Sequence, residues 1–90
     1  MSAYLIAYDL RGDADSSRYE ALQEAIKAYG TWAHVTESCW IIVTEEKAKE
    51  VRDGLAQWVT PGDRLFVLKS ASVAAWRNVI CRSEWLKENI

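Results

Sequence analysis

Short apolar runs alternate with amphipathic stretches along the chain, and this alternation predicts the order of its elements. Residues 3–10 (AYLIAYDL) are apolar at both odd and even positions, which is typical of a central strand covered on both faces. Apolar residues spaced by three and four predict a helix over about 18–29, followed by Gly30, and a second helix after Thr44. Ser17 and Thr44 are the expected N-terminal caps of these helices.

The remaining strands are predicted from runs of β-branched and aromatic residues at 31–37, 38–44 and 64–69. Residues 60–63 (TPGD) precede the last of these strands and predict a type II turn, because Pro and Gly occupy its central positions. Residues 73–80 fit either a strand or a loop lying against the domain. Residues 82–89 fit a short terminal helix with Ser83 as its cap.

The predicted order is β-α-β-β-α-β plus a C-terminal extension, which indicates a single α+β domain of the ferredoxin-like type over residues 1–90. Such a domain has a four-stranded antiparallel sheet with both helices on one face. The fourth strand is apolar on both of its faces, with Leu65 and Val67 opposite Phe66 and Leu68. The face without helices therefore needs a cover. We expect a homodimer stacked sheet on sheet, and an extension that folds back is the alternative.

Composition supports a shared apolar surface and limits the classes of function. Half of the 90 residues are hydrophobic and five are Trp, which is a large aromatic content for so small a core. The formal net charge is −2, with 11 basic and 13 acidic residues, which argues against nucleic-acid binding by bulk charge alone. No apolar run is long enough to span a membrane, and the N-terminal residues lack signal-peptide features. Cys39 and Cys81 are expected to be buried reduced thiols, which is typical of the cytoplasm.

Three short motifs follow one another in a familiar order. The first strand ends in Tyr8-Asp9, a later strand carries Ser38-x-Trp40, and residues 62–67 read Gly-Asp-x-Leu-Phe-Val. Over about residues 3–70 this succession resembles the small CRISPR-associated Cas-two family and its VapD-like relatives, and is closest to the stand-alone branch labelled SinR-like. The resemblance implies a ferredoxin-like homodimer with Asp9 near the two-fold axis.

The resemblance also implies a function with RNA or DNA in a bacterial defence or mobile-element system. One form of this function is a non-catalytic scaffold or binding module, which would include a protein partner. The other is an endonuclease that depends on Mg²⁺ (or Mn²⁺), with Asp9 as the catalytic residue and metal ligand and a metal-bound water as the nucleophile. The acidic net charge favours the scaffold. The residues that the resemblance marks as nucleic-acid-binding are Arg11, Arg18, His34, Ser38 and Trp40.

Asp9 also has a purely structural interpretation, in which it accepts backbone N–H bonds from Arg11 or Gly12. One Asp in each chain is a poor Mg²⁺ site, so metal binding would need two Asp9 copies across a dyad. Asp13 and Asp15 are expected to be solvated, although Asp13 would be able to make an outer contact to a metal at Asp9.

The other candidates have structural interpretations as well. His34, the single histidine, fits a structural or surface position on its strand. Trp40 fits core or dimer packing as well as it fits stacking on a base. The arginines are scattered among acidic residues, so surface charge is their default interpretation.

Overall fold

The computed structural model describes residues 1–11 and 16–90. In order, the elements of these residues are β1 (Ser2–Asp9), α1 (Ser16–Lys27), β2 (Trp32–Thr36), β3 (Cys39–Thr44), α2 (Ala48–Ala56), β4 (Arg64–Lys69) and α3 (Ser83–Asn89). The strands form one antiparallel sheet in the order β2-β3-β1-β4. The predicted α+β, ferredoxin-like fold with a C-terminal extension is therefore confirmed.

The central position predicted for the first strand is also confirmed, because β1 pairs with β3 on one side and β4 on the other. Its side chains alternate between the two faces of the sheet. Tyr4, Ile6 and Tyr8 belong to the core beneath α1 and α2, whereas Ala3 and Leu5 belong to a second core on the opposite face.

The helix-covered face holds the larger core. Leu22 and Ile26 of α1 and Val51 and Leu55 of α2 are almost fully buried against the sheet. Each pair is four residues apart and so lies on one side of its helix. Burial of one such side chain contributes about 1.5–3 kcal/mol, so packing can hold even the short α2 in place.

The C-terminal extension covers part of the second face. Leu86 of α3 is 1% exposed and packs with Ala3 and Ile41, while the Ile80 N–H donates to the Val35 carbonyl of β2 at 2.9 Å. On β4, Phe66 and Leu68 stay 56% and 51% exposed. The extension therefore accounts for only part of the cover that this face was expected to need.

The predicted cap at Thr44 is wrong. α2 begins at Ala48, and at its start the Glu50 carboxylate accepts the Lys47 backbone N–H at 2.8 Å. β3 continues through Thr44, so the chain needs further residues to leave the sheet before the helix can start. The Thr44 hydroxyl accepts the Glu46 N–H at 3.3 Å within that connection.

The predicted caps at Ser17 and Ser83 are also wrong, because each serine lies inside its helix. α1 begins at Ser16, which places Ser17 within the first turn instead of before it. α3 begins at Ser83 and has Arg82 at its cap position. The Ser83 hydroxyl instead accepts the indole N–H of Trp76 at 3.2 Å, which ties the extension to the start of its own helix.

The turn before β4 is present but is not of type II. The Asp63 N–H donates to the Thr60 carbonyl at 3.0 Å, yet Gly62 lacks the positive φ that a type II turn requires. The Asp63 carboxylate also accepts the Thr60 N–H at 2.7 Å, and this second bond holds a different turn. In contrast, Gly30 has the left-handed conformation expected after α1, with a φ of 91°.

Residues 73–80 form a loop against the domain, which is one of the two predicted alternatives. Residues 1–11 and 16–90 contain no helix with the length and apolar character that a membrane span requires.

Candidate nucleic-acid interface

Antiparallel pairing gathers several sequence candidates at one end of the sheet. Asp9, at the end of β1, is paired with Arg64, at the start of β4. The start of β3 lies at the same end, because Ala7 is paired with Cys39 and the Tyr8 N–H donates to the Ser38 carbonyl at 3.2 Å. We call this region the β1 end and define it by Asp9, Arg11, Arg18, Asp63 and Arg64.

Asp9 binds two guanidinium groups at the β1 end. Its carboxylate lies 3.0 Å from a terminal nitrogen of Arg64 and 3.5 Å from one of Arg11, and its side chain is 52% exposed. The predicted bond from the Arg11 backbone N–H to Asp9 is wrong, because that N–H donates to Asp63. Gly12, the other predicted donor, lies outside the described residues, as do Asp13 and Asp15.

Asp63, a residue of the turn before β4, is the carboxylate with the most partners at the β1 end. Its side chain has no exposed surface. It accepts the backbone N–H groups of Arg11 at 2.8 Å and Thr60 at 2.7 Å, and it forms an ion pair with Arg18. The Arg11 N–H bond, followed by the Thr60 N–H bond and the Arg18 charge, lowers the pKa of Asp63 to about 2.

The three arginines of the β1 end differ in exposure. Arg18 is 29% exposed, because its guanidinium group pairs with Asp63 and also donates to the Arg11 carbonyl at 3.3 Å. These bonds connect the first turn of α1 to the end of β1. Arg11 and Arg64 are 52% and 67% exposed, so both can reach a solvent-borne anion while they pair with Asp9.

Trp40, the predicted base-stacking residue, is in the core. Only 2% of it is exposed, and its indole N–H donates to the Tyr8 hydroxyl at 3.1 Å. The same hydroxyl accepts the Gln23 amide at 3.2 Å and lies 3.4 Å from the Glu37 carbonyl, to which it donates. Trp40 therefore packs in the core, as one of its two interpretations predicts, and does not offer a free face to a base.

The accessible aromatic surface near Trp40 comes from its neighbours on β2. The His34 ring stacks on Trp40 at a centroid distance of 4.1 Å and an angle of 10°. Trp32 is 37% exposed and lies at 5.3 Å from Trp40 in a tilted arrangement. The Lys27 amine lies 5.3 Å from the centre of the Trp32 ring.

Sequence reasoning singled out neither Trp32 nor Lys27. The available signal was the two-residue spacing of Trp32 and His34, which places both on one face of a strand.

Ser38 and His34 line a groove of about 390 Å³ at the turn between β2 and β3. Tyr19, Gln23 and Glu37 complete its lining. This groove connects two of the sequence candidates, and it lies at the end of the sheet where Asp9 is found. The structure thus brings the six candidates to one end of the fold, but in two groups, one around Asp9 and the other around His34.

Residues 1–11 and 16–90 of one chain do not form a Mg²⁺ site. Among the described residues, no group of three or more His, Cys, Asp or Glu side chains is placed to hold a metal ion. Asp9 has two guanidinium partners in place of further carboxylates. A metal site at Asp9 that two copies of the chain share stays a prediction.

Cys39 and Cys81 are free and partly buried, and burial raises the pKa of the Cys81 thiol. They therefore match the expected unpaired thiols, although neither is fully buried.

Comparison with known proteins defines the class of fold. No family model matches the chain. A crystal structure of a hypothetical protein, TT1823 from Thermus thermophilus, is similar, with a TM-score of 0.66 and 23% identity over 87% of this chain and 93% of that one. The similarity extends over nearly the whole of both chains, and at this identity it shows a shared fold.

Proposed function

We propose that this protein is a homodimeric, non-catalytic module of the Cas-two type that binds nucleic acid in a bacterial defence or mobile-element system. The observation that carries the proposal is a row of residues on β4. Phe66 and Leu68 are more than half exposed, and Arg64 continues the same row toward Asp9.

The apolar part of this row supports a homodimer. Phe66 is paired with Ala7 and Leu68 with Leu5 on β1, so the four side chains form one continuous strip on the second face. A strip of this kind is self-complementary across a two-fold axis. A second copy would also cover the part of the face that the C-terminal extension leaves open.

The polar part of the row supports nucleic-acid binding. A dimer built on the strip would have Arg11 and Arg64 of both copies at its margin, where phosphates could replace Asp9 as their partner. Exposed ion pairs contribute little free energy, so replacing Asp9 by a phosphate as the partner of these arginines costs little free energy. The same geometry favours a non-catalytic role, since the Asp9 carboxylate is already paired with two cations.

A cytoplasmic location and a protein partner belong to the same proposal. The free thiols of Cys39 and Cys81 are consistent with a reducing compartment. A scaffold also implies a protein that it positions on nucleic acid.

Mass measurement in solution tests the dimer. We expect the wild-type chain to have twice the 10.3 kDa mass of one chain by light scattering, and Phe66→Glu to be monomeric. Val73→Glu is the matched control, because Val73 is an apolar residue that is 91% exposed outside the strip. A wild-type monomer, or a Phe66→Glu dimer, would contradict the homodimer.

Oligonucleotide binding tests the interface and separates the two forms of the function. We expect Arg11→Gln and Arg64→Gln each to weaken binding and to reduce the slope of affinity against salt by about one unit, as for loss of one phosphate contact. Arg52→Gln, on α2, is the control. No cleavage of RNA or DNA is expected with Mg²⁺ or Mn²⁺. Cleavage that needs the metal and disappears in Asp9→Asn would replace the scaffold with the endonuclease.

A further inference from the structure

A groove lies between the C-terminal part of α1 and α2, on the side of the sheet that carries the helices. It has a volume of about 320 Å³, and its lining includes Ala25, Ala28, Tyr29, Glu46, Gly54 and Trp58. We call it the helix groove. The lining that the described residues supply contains no member of the β1 end, and the family resemblance gives these residues no role.

We propose that the helix groove binds an arginine side chain of a partner protein. The inference rests on the proposed function only in needing a protein partner, and it names the surface that this partner uses. An arginine side chain joins an aliphatic stem to a flat cationic head. The helix groove combines the matching groups, which are small apolar residues, an indole ring and a carboxylate.

Small residues keep the helix groove open. Ala25 and Ala28 line it from the α1 side, and Gly54 lines it from α2. A Cβ atom at Gly54 would lie only 3.3 Å from the Tyr29 hydroxyl oxygen, so the missing side chain lets this hydroxyl lie close to α2. Glycine inside a helix is destabilising relative to alanine, and here it leaves space for Tyr29 and for a narrow aliphatic stem.

Glu46 supplies the negative charge of the helix groove. Within residues 1–11 and 16–90, no basic side chain forms an ion pair with its carboxylate. Burial, followed by the charge of Glu46 and a hydrogen bond to it, raises the pKa of Tyr29, so the phenol stays protonated and donates to this carboxylate. The Glu46 carboxylate is therefore held in the groove without being neutralised, and a guanidinium group can bind its remaining lone pairs.

Trp58 supplies an aromatic ring that no other group occupies. It is 48% exposed, and in the part of the chain that the structure describes no second ring and no cation stacks on it. Trp32 differs, because the Lys27 amine already lies over its ring. Guanidinium groups favour the faces of indole rings. The Glu46 charge would repel the phosphates of nucleic acid, so an arginine of a protein is the occupant that the groove favours.

Titration of the ¹⁵N-labelled protein with two small probes tests the site. Acetyl-arginine methylamide is the cationic probe, and acetyl-citrulline methylamide is its neutral counterpart of nearly equal shape. We expect the arginine probe to shift the Gly54 amide and Trp58 indole N–H resonances with a Kd on the order of 1 mM, and the citrulline probe to bind about ten-fold more weakly. Equal affinities would mean that the groove takes an apolar ligand and would overturn the inference.

Variants assign the binding to the two groups. Glu46→Gln should weaken binding of the arginine probe about ten-fold, to the level of the citrulline probe, and Trp58→Ala should weaken binding of both probes. Glu45→Gln is the matched control, because Glu45 is exposed, lies outside the lining and changes the net charge by the same amount. Equal effects of Glu46→Gln and Glu45→Gln would show attraction by net charge alone and would overturn the site.

The outcomes distinguish this inference from the proposed function. A wild-type chain that is dimeric and binds oligonucleotides but not the arginine probe would overturn this inference alone. A monomeric wild type that binds the probe and no oligonucleotide would overturn the proposed function alone. If the wild type is dimeric and Glu46→Gln is monomeric by light scattering, a second copy occupies the helix groove in place of a partner protein, which would also overturn the inference.

Discussion

Two carboxylates at the β1 end have opposite environments although both come from the ends of neighbouring strands. Asp9 is 52% exposed, and its side-chain partners among the described residues are the side chains of Arg11 and Arg64. Asp63 has no exposed side-chain surface and binds two backbone N–H groups as well as Arg18. Asp9 is therefore available for exchange with a ligand, whereas Asp63 fixes the path of the backbone.

This difference shows how one end of a small sheet can have a fixed backbone and still carry a carboxylate that can exchange its partners. Asp63 joins three segments, namely the residues that follow β1, the first turn of α1 and the turn before β4. These three segments also carry Arg11, Arg18 and Arg64. The buried carboxylate thus positions the exposed arginines, while the exposed carboxylate only neutralises them.

The largest effect is expected from Asp63→Ala. Removal of this carboxylate takes the acceptor from the Arg11 and Thr60 N–H groups and removes the ion pair with Arg18, and unsatisfied donors are costly. We expect the Tm, measured by circular dichroism, to fall by about 10 °C. Asp53→Ala is the control, because Asp53 is 56% exposed and pairs with its neighbour Arg52 on α2. Equal losses in the two variants would contradict the contrast between buried and exposed carboxylates.

A smaller loss is expected from Arg18→Gln. The variant removes the ion pair with Asp63 and the bond to the Arg11 carbonyl, but the two backbone N–H groups still bind Asp63, so the Tm should fall by about half as much as in Asp63→Ala. Arg18→Lys keeps the positive charge and should recover part of the difference. If Arg18→Gln were as damaging as Asp63→Ala, the ion pair and not the backbone bonds would hold the β1 end together.

Much of the fold was predictable because it depends on local patterns. A run that is apolar at both odd and even positions located β1, a run of β-branched and aromatic residues located β4, and the spacing of Leu22 and Ile26 located α1. The caps at Thr44 and Ser83 were wrong because a hydroxyl near a helix start has other partners, here the Glu46 N–H and the Trp76 indole. Which partner such a hydroxyl binds depends on where the segment before the helix ends.

The candidate site was less predictable because its contacts join distant residues. The ion pair between Asp63 and Arg18 connects residues 45 positions apart, and no local spacing in the sequence predicts it. The position of Asp9 at the end of an apolar strand was predicted, but its partner Arg64 follows from the strand register and its partner Arg11 from the path of the chain after β1. Trp40 matched a motif, yet it is buried, and the aromatic side chains that solvent can reach are those of its neighbours His34 and Trp32.

Acid should reduce the contribution of ionised Asp63 to the free energy of unfolding over a defined range of pH. Its pKa is about 2 in the folded chain and 3.8 in the absence of these partners, so the folded state favours the ionised form. The resulting stability is complete above about pH 4 and is lost as the pH falls from there toward about 2. Urea unfolding at about pH 5 and about pH 3 should show a larger decrease for the wild type than for Asp63→Asn. Parallel decreases in the two proteins would contradict the assignment.

The smallest effect on stability is expected from Asp9→Asn. An exposed ion pair contributes about 0.2–1 kcal/mol, and the two pairs of Asp9 share one carboxylate, so the free energy of unfolding should change by less than about 1 kcal/mol. Added salt should reduce even this difference, because it screens exposed charges. The same variant frees Arg11 and Arg64, so it should bind oligonucleotides at least as tightly as the wild type if Asp9 only neutralises them. A large loss of stability would place Asp9 beside Asp63 as a structural carboxylate, whereas weaker binding with unchanged stability would mean that Asp9 itself contributes to the interface.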